Sequence, residues 1–578
     1  MRLSGVWIVA IALIVSFTFS GCKSKGPRYA DTVIFPITAA VEKIQIAPPF
    51  FNEKVQQKTQ VFYSANNFKK VWLGVKRPNN EYRAFIDEVK ASSTYGLDPD
   101  DYDITILEQL VVSLYKNGRR TEADISDLDI KITASFFLYT THLMEGRVRY
   151  PGAPDFIWER GMPLENDIAM LLSMESAIGL RKKLERIQPS DQQYSRLKEA
   201  YKKFRVLQQA DTIPNIAGNL LIKPGELNVE IPLIRRKLSL LDMLNKSSRD
   251  ESPEYDDNLV KGVKKFQTLH GLTADGIIRG ETVKFLNMTM KARAELIALN
   301  LERLRWGPSP KGDNNEVVVN VPEFMLRVYN NHKSVLEMRV VTGSELTATP
   351  VFHDSLKSIV FSPTWIVPQS IFTNEFLPKL RVDSAHFSSD RFTFYKRGKE
   401  IDPTLELWDD DELNPAAYRV IENPGPANSL GNVKFIMPND FSIYLHDTPA
   451  DRLFSREKRA LSHGCIRLEK PLELAEYLVG HQKKWDKERV AEAIQSAEPL
   501  RVNLKKAYPV HIVYRTVWVD DDNEINFRTD IYGHDKRHLA QLDERNIMTG
   551  PSYSGQQALR SFLPMNSSGF QPSDIAKK

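Results

Sequence analysis

The spacing of apolar residues changes character three times along the chain. From Asp31 to Ala210 they recur at helical intervals, as in EYRAFIDEVKASSTYGLDPDDYDITILEQLVVSLYKNG, with turn residues at Gly96-Leu97-Asp98-Pro99 and from Gly146 onward. This predicts a helical scaffold over residues 31–225, on which charged runs such as RLKEAYKKFR are solvated helix faces. Residues 226–290 form a smaller helical unit: Leu259, Val263 and Phe266 share one helix face, Asp275-Gly276 and Gly280 mark a turn and a cap, and Glu281-Thr282-Val283 starts another helix. After RWGPSPKGDNN the period shortens to two. EVVVNVPEFMLRVYNNHKSVLEMRVVTG alternates about an expected hairpin turn at Asn330-Asn331, and SIVFSPTWIVP, NVKFIMP and FSIYLHD continue the pattern. A mainly-β domain is expected over 314–504, interrupted by a charged, irregular insertion at 369–429 long enough to act as a lid. Alternation returns in HIVYRTVWVDDDNEINFRTDIYG, which predicts a strand-rich extension over 505–548, and the polar tail 549–578 reads as disordered. The expected fold class is multidomain α+β.

The length of 578 residues agrees with several domains, because single hydrophobic cores stop growing near ~250–300 residues. With 42% apolar residues and a net charge of +4, the composition is not that of a nucleic-acid binder or a disordered chain. The first 21 residues read as an export signal: Arg2, then an apolar run from Val6 to Phe19 that is short for a membrane span of ~20 residues. Phe19-Ser20-Gly21-Cys22 resembles a bacterial lipobox, with Phe19 in place of the usual Leu, which makes Cys22 a lipidation site followed by a tethered linker over 22–30. Ordinary signal-peptidase cleavage, leaving Cys22 as a chance thiol, is the alternative. A lipidated Cys22 implies attachment to a membrane of the cell envelope. Lys23 supplies no inner-membrane retention signal of the Asp type, which points to the outer membrane, facing the periplasm.

Cysteine usage sharpens the question of chemistry. Cys22 and Cys465 are the only two, so a lipidated Cys22 leaves Cys465 unpaired in an oxidising compartment, an oxidation liability that calls for a reason. Three readings compete. A metal site could draw on His446, His463, Cys465 and Asp447. A packing thiol would not need two histidines, an arginine and a glycine beside it. A nucleophile would use His446, at the end of the run Ser442-Ile443-Tyr444-Leu445, as the base that raises the thiolate fraction of a thiol with pKa ~8.5. Gly464 would let the backbone approach a substrate carbonyl, the amides of the Ser462-His463-Gly464-Cys465 turn would stabilise an oxyanion, and Arg467 would meet a substrate carboxylate or pin the loop. No HExxH and no phosphate-binding glycine loop is present, and no metal or cofactor is expected.

His446, fifteen intervening residues and then Ser462-His463-Gly464-Cys465-Ile466-Arg467 match the signature of the YkuD-type L,D-transpeptidases. Phe266-Gln267, Gly271-Leu272 and Asp275-Gly276 resemble the three-helix peptidoglycan-binding domain, and the domain order is similar to the large YcbB-like members, in which an insertion caps the substrate. The resemblance implies catalytic Cys465, His446 and His463, with Asp447 orienting His446 through its carbonyl and His463 shaping the oxyanion site. It implies a thioester formed on a peptidoglycan stem tetrapeptide with loss of the terminal D-Ala, resolved by the amine of a second stem peptide to give a 3-3 cross-link. Resolution of the same thioester by water, or a non-catalytic wall-binding lipoprotein, are the alternatives.

Overall fold

The computed structural model describes residues 53–74, 76–116, 121–148, 165–174, 176–244, 251–307, 315–387, 390–409, 413–482 and 485–548. The export segment, Cys22, its linker and the 549–578 tail lie outside these residues. Among them, no helix is long and apolar enough to cross a membrane.

The N-terminal half is helical and is built around Glu122–Glu145, which is buried on nearly every side. A helix buried on nearly every side is a central one, and this one buries polar side chains such as Asp129 and Thr133 along with its apolar ones. Thr121 and Asp124 close a capping box at its start. At its end Gly146 sits at φ +77°, and a Cβ there would come within 2.6 Å of the Trp306 indole nitrogen. Buried Asp129 accepts the Val71, Trp72 and Leu73 amides at 2.9, 2.8 and 2.9 Å and the Tyr63 hydroxyl at 2.7 Å, so one carboxylate ties the 71–73 turn to the central helix.

Helices Ile231–Leu240, Asp257–Leu269 and Gly280–Leu286 make up the smaller unit. Leu259, Val263 and Phe266 are fully buried. The Gln267 side chain accepts the Gly276 amide at 2.8 Å and donates to the Ile277 carbonyl at 3.0 Å, while Gly276 adopts φ +76°. The Phe-Gln and Asp-Gly pairs are therefore first of all the clasp of a turn. The unit does not keep a core of its own. Phe266 and Leu259 share one cluster with Phe204 and Leu197 of helix Gln192–Ala210, and with Val517 and Phe527 near the C-terminus.

The β domain begins with β1 (Glu316–Asn320), β2 (Met325–Asn330), β3 (Lys333–Gly343) and β4 (Phe352–Phe361). Asn331 and His332 both have positive φ and form the two-residue turn between β2 and β3. The turn sits one residue beyond the expected Asn330-Asn331, because Asn330 still pairs with Lys333. Between β4 and β9 (Val433–Ile436) lies the insertion, with β5 (Trp365–Ile366), β6 (Phe392–Lys396), β7 (Lys399–Ile401) and β8 (Tyr418–Glu422) in a separate four-stranded sheet. It leaves and returns through paired strands, Phe361 lying opposite Val433, and has its own core around Phe372, Phe394, Trp408 and Tyr418. The remaining strands are β10 (Leu445–His446), β11 (Ala460–Ser462), β12 (Ile466–Leu468) and β13 (Leu500–Val513).

The large sheet runs β11-β3-β12-β10-β9-β4-β13-β1-β2, and β2 also pairs with β3, so the sheet closes on itself. The expected division after Leu504 needs correction. It cuts β13, which continues to Val513 between β4 and β1 and is required for closure. The segment beyond is also less strand-rich than its alternation suggests: a short hairpin of β14 (Val517–Val519) and β15 (Ile525–Phe527) packs on the helical half, and His534–Met548 is helix. The apolar alternation there reflects a hairpin seated on helices and not a further sheet.

Six histidines are held uncharged by desolvation, His270 among them, pushed well below its usual range. The values fall to about 4 for His353, about 3 for His446, His511 and His534, and about 2 for His538. Unfolded, each ring titrates near ~6.5, so below that pH the unfolded chain binds protons the native rings refuse. Stability is unaffected by these rings above ~6.5 and should fall as pH drops toward 3, by about 1.4 kcal/mol per pH unit per ring. Asp103, raised to about 6 by burial, and Asp129, Asp354, Asp447 and Asp535, also raised by burial, work in the opposite sense and offset part of this fall. Thermal unfolding followed from pH 7.5 to 5, where ordinary carboxylates stay ionised, should show a falling midpoint. A flat or rising midpoint would contradict the buried-histidine assignment.

Candidate active site around Cys465

β10 lies between antiparallel β9 and parallel β12. Leu445 pairs with Phe435 and Ile466, and His446 with Lys434 and Arg467. Leu445, Phe435 and Ile466 are fully buried in the barrel core. Period-two alternation then sends Tyr444, His446, Lys434, Cys465 and Arg467 to the opposite face. The Ile466 amide donates to the Tyr444 carbonyl at 3.1 Å, which carries the pairing back to the level of Cys465. The Tyr444 and His446 rings meet edge to face at 5.6 Å, and Lys434 Nζ stands 3.7 Å above the Tyr444 ring.

His446 is buried, and its Nδ1 lies 2.6 Å from the Asp447 carbonyl oxygen. A carbonyl only accepts, so Nδ1 carries the proton and Nε2 keeps its lone pair. Burial, followed by the positive field of Arg467, depresses the imidazolium to about 3. The ring is thus a neutral acceptor throughout the working pH range. Cys465 is partly buried and its Sγ lies 3.8 Å from the Ser442 carbonyl. Burial pushes the thiol above its ordinary range, against hydrogen bonds from Tyr444 and the cations Lys434 and Arg467, which favour thiolate. At rest the thiol is protonated and the imidazole on the same face is neutral.

The carboxylate of Asp447 accepts the Asn432 and Thr448 amides, both at 2.7 Å, and so fixes the carbonyl that holds His446. Gly431 packs against that carboxylate at φ +59°, where a Cβ would come 2.4 Å from Asp447 Cγ. In the cysteine loop Ser462 Oγ donates to the Cys465 carbonyl at 2.6 Å and accepts the Gly464 amide at 3.2 Å. The Gly464 N–H, expected among the oxyanion donors, is thereby engaged within the loop. Gly464 itself adopts φ +113°. The His463 ring is half-exposed and its Nε2 contacts Glu375 Oε1 of the insertion at 2.5 Å. Among the described residues no three His, Cys, Asp or Glu side chains are grouped to hold a metal ion.

Several contributors escaped the sequence reading. Lys434 and Tyr444 are polar residues at alternate positions of otherwise core-building strands, a signal that period two contains. Glu375 and Trp365 come from the insertion, Trp365 hydrogen-bonding the Tyr444 hydroxyl. Tyr532 comes from the segment after the barrel: its hydroxyl donates to the Gly343 carbonyl at 2.6 Å and accepts the Thr349 amide at 3.3 Å. Thr349 Oγ1 in turn donates to the Gly464 carbonyl at 2.7 Å. Nothing in local spacing announces Tyr532, because its partners lie about 190 residues upstream.

Two segments of the chain match known family profiles. Residues 314–512 match the L,D-transpeptidase catalytic domain profile known as YkuD, and residues 57–200 match a scaffold domain profile. A Haemophilus influenzae protein provisionally named an L,D-transpeptidase is 34% identical over 264 residues, 45% of this chain and 52% of the relative. The chain thus spans about half the length of that curated relative. Among solved structures, an L,D-transpeptidase from Stackebrandtia nassauensis is 13% identical over 52% of this chain and 97% of its own, with a TM-score of 0.20. One from Mycobacterium smegmatis is 12% identical over 34% and 57%, with a TM-score of 0.17. Superpositions this loose carry no argument about the arrangement of this chain.

The electrostatics predict the reactivity of the thiol. Alkylation of Cys465 by iodoacetamide, located by mass spectrometry, should rise with pH to a midpoint above the ~8.5 of a free thiol. Lys434→Gln should move the midpoint higher, since a cation that favours thiolate is lost. A rate already at its plateau at neutral pH would mean a preformed thiolate–imidazolium pair instead.

Proposed function

Since residues 314–512 carry the catalytic domain of the YkuD L,D-transpeptidase family, we infer that the protein is a peptidoglycan L,D-transpeptidase working through a Cys465 thioester. The observation that carries this reading is the face shared by Cys465 and His446 on paired strands, with the His446 tautomer locked by the Asp447 carbonyl. Nε2 takes the thiol proton as sulfur attacks the amide before the terminal D-Ala of a stem tetrapeptide. The departing D-Ala amine then takes that proton, leaving the ring neutral. The high resting pKa of the thiol makes this coupled proton transfer necessary, and Lys434 and Arg467 stabilise negative charge as it develops on sulfur. An amine of a second stem resolves the thioester, giving a 3-3 cross-link.

Glu375 and Trp365 bring the insertion against the cysteine loop and Tyr444, and its closing over a bound substrate would favour transfer over hydrolysis. The three-helix unit would hold the glycan matrix, and a lipidated Cys22 would tether the enzyme to the outer membrane on its periplasmic side. Cys22 lies outside the described residues. Its test is processing of the precursor, which Cys22→Ser should block.

Incubating the purified protein with a disaccharide tetrapeptide and analysing products by mass spectrometry decides between outcomes. Cross-linked dimers are expected, and trimmed tripeptides alone would make the protein a hydrolase. Cys465→Ala should abolish both products without unfolding the chain. His446→Ala should slow acylation by about 10²–10⁴-fold, with partial recovery at alkaline pH as the thiol ionises unaided. Undiminished acylation in the His446 variant would remove it as the base.

A further inference from the structure

Within the transfer reaction inferred above, the acceptor brings a proton that His446 does not handle. After acylation the His446 ring is neutral again, the thiol proton having left with D-Ala. A lysine-like acceptor amine has a pKa of ~10.4, so roughly one molecule in a few thousand is uncharged at pH 7. The neutral amine still has an N–H proton to deliver to the departing sulfur, and His446 suits that transfer. The extra ammonium proton needs a second acceptor.

We propose that His463, held by Glu375 of the insertion, is that acceptor. His463 is two residues from Cys465, and its ring, like Glu375, is open to solvent and thus to a second substrate. Its Nε2 lies 2.5 Å from Glu375 Oε1. An ionised carboxylate only accepts, so the neutral ring carries its proton on Nε2 and offers the Nδ1 lone pair. Glu375 lies on the single π-helical turn Phe372–Phe376, a geometry concentrated at functional sites. The insertion therefore delivers one carboxylate to the only ring of the cysteine loop.

The protons balance as follows. The acceptor ammonium gives one proton to His463 Nδ1 and becomes a neutral amine. Its nitrogen attacks the thioester carbonyl carbon, forming the C–N bond, and collapse of the tetrahedral intermediate breaks the C–S bond. The second amine proton passes through His446 to the sulfur, restoring the Cys465 thiol, while His463 releases its proton to water. His463 touches the substrate in this scheme, and Glu375 is a positioning residue that acts through it. Water carries no surplus ammonium proton, so this device favours amine acceptors specifically.

The test compares two amines attacking the same acyl-enzyme, formed beforehand from donor tetrapeptide: a lysine-like acceptor, cationic at neutral pH, and hydroxylamine, which is uncharged there. Glu375→Gln should lower transfer to the lysine-like amine relative to hydroxylamine by about 10–100-fold, within the range of a positioned base. His463→Gln should show the same loss of ratio, and the double variant no further loss, because the two act as one unit. A ratio unchanged from wild type, whether both rates fall together or neither falls, would overturn the proposal and leave the contact a structural latch. Failure of the wild type to form any acyl-enzyme would instead sink the transpeptidase reading itself, and this proposal with it.

Discussion

The register between β10 and β12 is the constraint on which the rest of the site depends. Leu445 and Ile466 face the core as partners, and this alone sends His446 and Cys465 outward together. A slip of one residue would bury the cysteine and expose two large aliphatic side chains, so the hydrophobic free energy of the barrel core enforces the catalytic geometry. Closure through β2 and β3 leaves this pair well inside the sheet, with β9 and β3 hydrogen-bonded on either side. Cys465 and His446 are therefore held by strands paired on both sides, although the residues flanking them form loops.

Burial and charge then act against each other at the thiol. Desolvation keeps Cys465 protonated and His446 uncharged, while Lys434, Arg467 and Tyr444 favour negative charge on sulfur. The balance protects an unpaired thiol such as Cys465. A resting thiolate would be open to oxidation, whereas a neutral thiol is safe until a substrate is seated and a proton can move. The same burial makes the ring a weak base, so reactivity must come from stabilising the charge as it forms and not from a preformed ion pair.

Two segments outside the barrel complete the site from opposite sides. The insertion approaches through Glu375 and Trp365, and the C-terminal segment braces the loop from beneath through Tyr532, Thr349 and the Gly464 carbonyl. That segment continues to the helical half, where Asp535 meets Arg303 at 2.6 Å, both buried. Hydrogen bonds and an ion pair thus run from helix Met290–Arg303 through Asp535, Asp530, Tyr514 and Tyr532 to the cysteine loop.

Residue order alone determined most of the elements and marked the two residues assigned to the reaction. Period-two alternation marked the barrel strands, helical periodicity marked the scaffold, and Ser-His-Gly-Cys with a histidine sixteen residues upstream marked the nucleophile and its base, because these depend on local spacing that covalent geometry transmits directly. The Asp447 carbonyl contact to His446 came from the family resemblance, and the structure joins these two neighbours at 2.6 Å. The tertiary structure decided what depends on encounters between distant segments: that β13 runs past Leu504 to close the barrel, that the three-helix unit shares its core with the scaffold, and that Gly464 spends its amide on Ser462. It also decided that His463 turns to Glu375 and that Tyr532 supports a loop formed long before it in the chain. Such partners are chosen by packing and by the satisfaction of buried polar groups, and neither leaves a periodic trace in sequence.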